Sequence, residues 1–107
     1  MNAPQPYLSD TEAPSRADTE AWPGLTLLEF GTDWCGHCRA AQPAVGQALA
    51  QQPQWQHFKV EDGPGRALGR SYRVKLWPTL LVLRDGQEVA RVVRPTAVQD
   101  VLNALVV

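Results

Sequence analysis

The chain has 107 residues, 44% of them hydrophobic and 20% charged, with a formal net charge of −1. A chain of that order suits one domain burying roughly 60–70% of its unfolded surface, enough to hold a core without staples. The charge balance excludes a global field toward nucleic acid or a membrane surface, no apolar run reaches membrane-spanning length, and Met1 to Tyr7 lacks the basic start and apolar core of a secretory signal. The reading is a cytoplasmic monomer with no membrane or nucleic-acid partner.

Residues 1–24 hold four of the nine prolines and few large apolar side chains (Tyr7, Leu8 and Trp22), which predicts an N-terminal arm, loosely ordered or carrying a short strand near Tyr7-Leu8 and a short helix over about 14–21. Residues 25–107 read as one folded domain. Leu25 to Gly31 is apolar on both sides, as a strand covered on both faces should be, with Glu29 as the exception. A helix is predicted over 36–52, with Ala41, Val45, Ala48 and Leu49 at helical spacing and Pro43 interrupting it. Trp55 to Val60 follows as a strand and Arg66 to Tyr72 as a short helix. Thr79–Arg84, the turn pair Asp85-Gly86 and Gln87–Arg94 read as a hairpin. The last helix shows Val98, Val101, Leu102 and Leu105 on one face, with Thr96 as the expected N-cap and Gln99 completing a capping box. The order predicts an α/β fold, a mixed sheet with helices on both faces.

The chemistry concentrates where the first strand meets the first long helix, at Trp34-Cys35-Gly36-His37-Cys38. Cys-x-x-Cys beside a βαβ pattern has the spacing of a redox dithiol. Residues three apart on a helix share a face, which brings two sulfurs near bonding distance. Cys35 falls at the helix start, where free N–H groups and the helix dipole favour an anion, and the thiolate is the nucleophile. Two other readings compete with it. A structural disulfide closing so short a loop would remove only about 2 kcal/mol of unfolded-chain entropy. A zinc site needs four ligands, and this motif supplies two, with His57 far along the chain. The redox reading requires neither metal nor cofactor.

These residues and their order resemble the thioredoxin family over roughly 25–107. The motif around Cys35 and Cys38, Pro43 five residues later, Pro78-Thr79, Gly86, Glu29 and Lys59 all fall at positions that match the family's pattern. The resemblance implies a thioredoxin-like fold and a thiol–disulfide oxidoreductase, with reduction of protein disulfides the favoured direction. It makes Cys35 the attacking sulfur and Cys38 the resolving one, with Trp34, Gly36 and His37 supporting them. It makes Pro78 a cis-proline standing against the sulfurs, and places Trp77, Pro78, Thr79 and Arg94 at the substrate lip. Glu29 would take the family's buried acid position, with a pKa raised by burial, and would accept the Cys38 proton. Lys59 near it would pull that pKa down.

Four positions depart from the commonest form. His37 and Glu29 instead resemble the catalytic domains of protein disulfide isomerases, where a protonated His37 would favour the Cys35 thiolate and hence the reduced state. Trp77 replaces a smaller residue and Arg94 a glycine, which would narrow or redirect substrate choice. The implied partners are protein disulfides or dithiols and a separate reducing partner. The competing function is a binding module that keeps the fold and holds one partner with little redox turnover.

Overall fold

The structure, a computed structural model, describes residues 5–106. Eight elements follow in order: α1 Arg16–Glu20, β1 Leu25–Gly31, α2 Gly36–Gln51, β2 Gln56–Glu61, α3 Ala67–Ser71, β3 Thr79–Arg84, β4 Gln87–Val93 and α4 Val98–Ala104. The strands form one mixed sheet in the order β2-β1-β3-β4. β1 and β2 run parallel, joined by the α2 crossover, while β3 lies antiparallel to β1 and β4 antiparallel to β3.

Alternation along β1 sorts its side chains between two cores. Leu27 packs with Val45 and Ala48 of α2, Val101 of α4, Leu105 at that helix's C-cap, and Trp55. Leu28 and Phe30 point the other way, onto Leu68, Tyr72, Leu81 and Leu83. A period of two on a strand covered on both sides produces this division. Trp22 stacks on Phe58 with centroids 4.5 Å apart and closes the edge of the second core.

The segment before β1 lies on this body. Leu8 forms a parallel bridge with Val60, donating to the Lys59 carbonyl at 2.8 Å and accepting from the Glu61 amide at 2.9 Å. Ser15 caps α1 and Asp18 completes a capping box. Arg16 lays its guanidinium over the Tyr72 ring at 3.8 Å, and Thr19 shares a 2.7 Å hydrogen bond with the Tyr72 hydroxyl.

One cap differs from expectation. α4 is capped by Ala97, whose amide is bonded by the Asp100 carboxylate at 3.3 Å, so Thr96 is not the N-cap and Gln99 not its partner. Gln99 instead bonds Asn103 one turn on. A carboxylate in the first turn satisfies a free amide and opposes the helix dipole, which a glutamine does less well.

Register brings three loops to one edge. Phe30 pairs with Thr79, and Thr79 with Val93. The loop after β1, the Trp77-Pro78 turn before β3 and Arg94 after β4 therefore all lie at the carboxyl end of β1.

Candidate active site

Cys35 is the N-cap of α2, with extended backbone (φ −78°, ψ 123°), and its sulfur accepts a hydrogen bond from the Cys38 amide at 3.4 Å. Both cysteines are free thiols. A sulfur in the cap position takes the place of the oxygen that ordinarily satisfies a helix's first amides.

The two thiols stand in unlike surroundings. Burial alone would push Cys35 up, but hydrogen bonds from Cys38 and from the His37 and Cys38 amides, with the charge of Arg94, hold it below the ordinary thiol value. Cys38, 1% exposed, is pushed up to about 11, first by burial and then by its hydrogen bond to Cys35. One sulfur is eased toward the thiolate and its neighbour is kept protonated. The asymmetry follows from position, since only the first residue of the pair reaches the unsatisfied amides.

Beneath the pair lies Glu29, with 0% exposure. Tyr7 Oη donates to Glu29 Oε2, Gln42 Nε2 donates to the same oxygen at 2.8 Å, and His57 Nε2 meets Oε1 at 2.9 Å. Burial opposes the charge, but the hydrogen bonds from His57, Tyr7 and Gln42 outweigh it and hold the carboxyl below its ordinary value. The expectation that burial would raise the Glu29 pKa is thus overturned, because a carboxylate that accepts several hydrogen bonds is stabilised as the anion.

Lys59 pairs with Glu29 in the strand register, but its ammonium bonds the Gln5 carbonyl at 2.5 Å and Gln42 Oε1 at 3.0 Å. Gln42 thus links the two charges. Lys59 also stands 4.3 Å from the centre of the Tyr7 ring.

At the lip, the Trp77–Pro78 peptide is cis. Trp77 donates its indole N–H to Asp62 at 2.9 Å and meets the exposed Trp34 edge to face at 5.9 Å. Arg94 Nε donates to the Trp77 carbonyl at 2.8 Å, and the Arg94 amide donates to the Pro78 carbonyl at 2.9 Å. Arg94 has φ +52°, in the left-handed region that favours glycine. Thr79 is buried and bonds the Leu76 carbonyl at 2.5 Å, while Gly36 and His37 are exposed on the first turn of α2. A hollow of about 690 Å³ opens beside Cys38, lined by Tyr7, Thr32, Gln42, Pro43, His57 and Lys59 among others. Among the described residues no group of three or more His, Cys, Asp or Glu is placed to hold a metal ion.

The residues sequence reasoning missed are Tyr7, Gln42, His57 and Asp62. A signal existed for His57: it lies two residues before Lys59 on one strand, so the two share a face. Gln42, four residues after Cys38, shares its helix face. Nothing local marks Tyr7 or Asp62.

The thioredoxin family profile matches residues 16–106. The chain belongs to the thioredoxin family. Thioredoxin 2 from Pseudomonas aeruginosa PAO1, in its reduced form, is 55% identical and superposes with a TM-score of 0.83, over 94% of this chain and 91% of that one. A thioredoxin of Chlamydia pneumoniae is 37% identical over 70 residues, 65% of this chain and 69% of that protein. The H-type thioredoxin of Fagopyrum esculentum is 33% identical over 69 residues, 64% of this chain and 60% of that protein. The fold is the thioredoxin fold, and the family together with the Cys35–Cys38 pair makes this a dithiol thiol–disulfide oxidoreductase. Among the described residues no helix is long and apolar enough to cross a membrane.

Proposed function

We propose that this thioredoxin-family protein reduces disulfides in protein substrates in the cytoplasm, working as a monomer that a separate reducing partner returns to the dithiol. The observation that carries this reading is the split between the two thiols, Cys35 held toward the thiolate and Cys38 pushed up to about 11. Cys35 attacks a substrate disulfide, one substrate sulfur leaves, and a mixed disulfide forms. Cys38 then attacks Cys35, the mixed bond breaks, and the second substrate sulfur departs. Two electrons pass to the substrate and the pair ends as a disulfide.

Roles follow for the neighbours. Glu29, ionised and beneath Cys38, accepts the resolving proton, and Lys59 steadies it through Gln42. Trp34 and Gly36 shape the rim around Cys35. His37, as in disulfide isomerases, adds positive charge beside the Cys35 thiolate when protonated. Pro78 stands against the sulfurs, while Trp77, Thr79 and Arg94 form the substrate lip. Residues 25–107 constitute the catalytic domain, and residues 1–24 the arm that precedes it, of which residues 5–24 lie against that domain.

The lip also favours a second reading, a module that grips one partner with little turnover. Trp34, 74% exposed and edge-on to Trp77, offers aromatic surface of the kind enriched at interfaces. Insulin reduction separates the two. Cys35-dependent turnover is expected, with Cys35→Ser inactive and Cys38→Ser held as mixed disulfides with protein substrates. Turnover that does not depend on Cys35, or none at all, would leave the binding module standing.

A further inference from the structure

Cys38 is 1% exposed, so its thiol meets almost no bulk solvent directly. Two groups close around its sulfur. β1 passes beneath as Gly31, and a Cβ there would stand 2.5 Å from Cys38 Sγ and 2.8 Å from Tyr7 Oη. The missing side chain leaves the room in which thiol and phenol meet. Tyr7 Oη lies next to the Cys38 sulfur across this space and donates to Glu29 Oε2 on the other side. The far oxygen of Glu29 meets His57 Nε2 at 2.9 Å, and His57 lines the hollow beside Cys38.

We propose that Tyr7 is a further catalytic residue, whose hydroxyl carries the proton of the resolving thiol to Glu29, from which His57 passes it to the hollow. The inference rests on the oxidoreductase reading and on Cys38 as the resolving thiol. In the step, Cys38 Sγ gives its proton to Tyr7 Oη as Tyr7 gives its own to Glu29. Tyr7 ends as it began, a neutral phenol. The Cys38 thiolate attacks Cys35, the Cys35–substrate bond breaks, the Cys35–Cys38 bond forms, and the substrate sulfur leaves as a thiolate. Glu29, held below its ordinary value, keeps the proton only in passing, and the imidazole beside its other oxygen can take it at one nitrogen while releasing one from the other.

A hydroxyl suits the middle position because it donates and accepts at once. Burial, and then the charge of Glu29, raise the Tyr7 pKa, so the phenol keeps its own proton and serves as a bridge, not as a base. The ring is held by the Leu8 bridge to β2, by Lys59 over its face, and by the 3.4 Å bond from the Tyr7 amide to Asp33. The titratable groups facing this chain of hydrogen bonds are Cys35 and Cys38 from the start of α2, His57 and Lys59 from β2, and Asp33 from the β1–α2 loop.

The test is stopped-flow reaction of the reduced full chain with excess 5,5′-dithiobis(2-nitrobenzoate). Attack by Cys35 releases one coloured thiolate and resolution by Cys38 releases a second. Tyr7→Phe keeps the ring and removes the relay. It is expected to slow the second phase by about tenfold or more near neutral pH and to leave the first within about twofold. The second phase of Tyr7→Phe should rise about tenfold per pH unit, since Cys38 must then lose its proton to hydroxide, whereas the unaltered chain shows a shallower slope. Glu29→Gln should slow the same phase, and the double variant no further than the slower single one, because the groups act in series. Without any substitution, heavy water should slow the second phase and spare the first. A Tyr7→Phe second phase within about twofold of the unaltered chain, with the same pH slope, would overturn the relay while leaving the oxidoreductase reading intact. Absence of a first phase in the unaltered chain would overturn that reading and the relay together.

Discussion

Glu29 has no surface in contact with solvent, yet it is held as a carboxylate. An unpaired buried charge would be costly. Burial pushes this carboxyl up, and the donors His57, Tyr7 and Gln42 together push it further down. Its ionisation is therefore easier in the folded chain than in the unfolded one. The resulting stability is present above the ordinary carboxyl pKa and is lost as pH falls through the lower folded value. Glu29→Gln should flatten the acid limb of stability. Urea midpoints measured at about pH 6 and about pH 2 are expected to differ less in the variant than in the unaltered chain. An equal fall in both would assign the acid sensitivity to other carboxylates. Glu29 was conspicuous in the sequence because a charge in an apolar strand requires partners. Those partners were harder to read. Tyr7 reaches it from 22 positions away and His57 from 28, and only the docking of the arm and the β1–β2 register bring them in. Burial alone would raise its pKa, and only the donors that the fold brings in reverse the direction.

Among the elements, the β3–β4 hairpin shows how a local signal acquires a tertiary role. Asp85 and Gly86 both have positive φ, 51° and 82°, which matches the twist of a two-residue hairpin turn. The turn is also tied to the entry of β1. Asp85 Oδ1 accepts from the Gly24 amide at 2.7 Å, and the Asp85 amide donates to the Gly24 carbonyl at 2.8 Å. A Cβ on Gly86 would stand 2.0 Å from the Glu20 carbonyl oxygen at the end of α1. Gly86→Ala therefore meets both a left-handed backbone and an immovable neighbour. A loss of at least about 2 kcal/mol is expected by urea unfolding, with the pH dependence of Cys35 alkylation unchanged. A smaller loss would mean that α1 shifts freely away from the turn. The strands and long helices were legible because period and turn chemistry are local properties. The α4 cap was misplaced by one residue because Thr96 is a favourable cap type, whereas the Asp100 carboxylate selects Ala97.

Across the whole molecule, the segment before β1 is where sequence said least and contacts say most. A proline-rich, polar stretch offers no hydrophobic period to read. Yet Tyr7 is buried beside the redox pair, Leu8 extends the sheet at β2, Thr19 is fully buried against Tyr72, and Gly24 holds the hairpin turn. These anchors bind the segment to the outer edge of β2, the α3 layer and the far end of β3. An arm held at three separated places should open only when the body does. Amide exchange measures this directly. The Leu8 amide, bonded to the Lys59 carbonyl, is expected to exchange with nearly the same free energy as core amides of β1 such as that of Leu28. Tyr7→Ala removes a buried aromatic side chain and should lower stability by about 3–5 kcal/mol while releasing the Leu8 and Glu61 amides to faster exchange. If Leu8 instead exchanges much faster than Leu28 in the unaltered chain, the arm opens by itself, and Cys38 and Glu29 are uncovered each time it does.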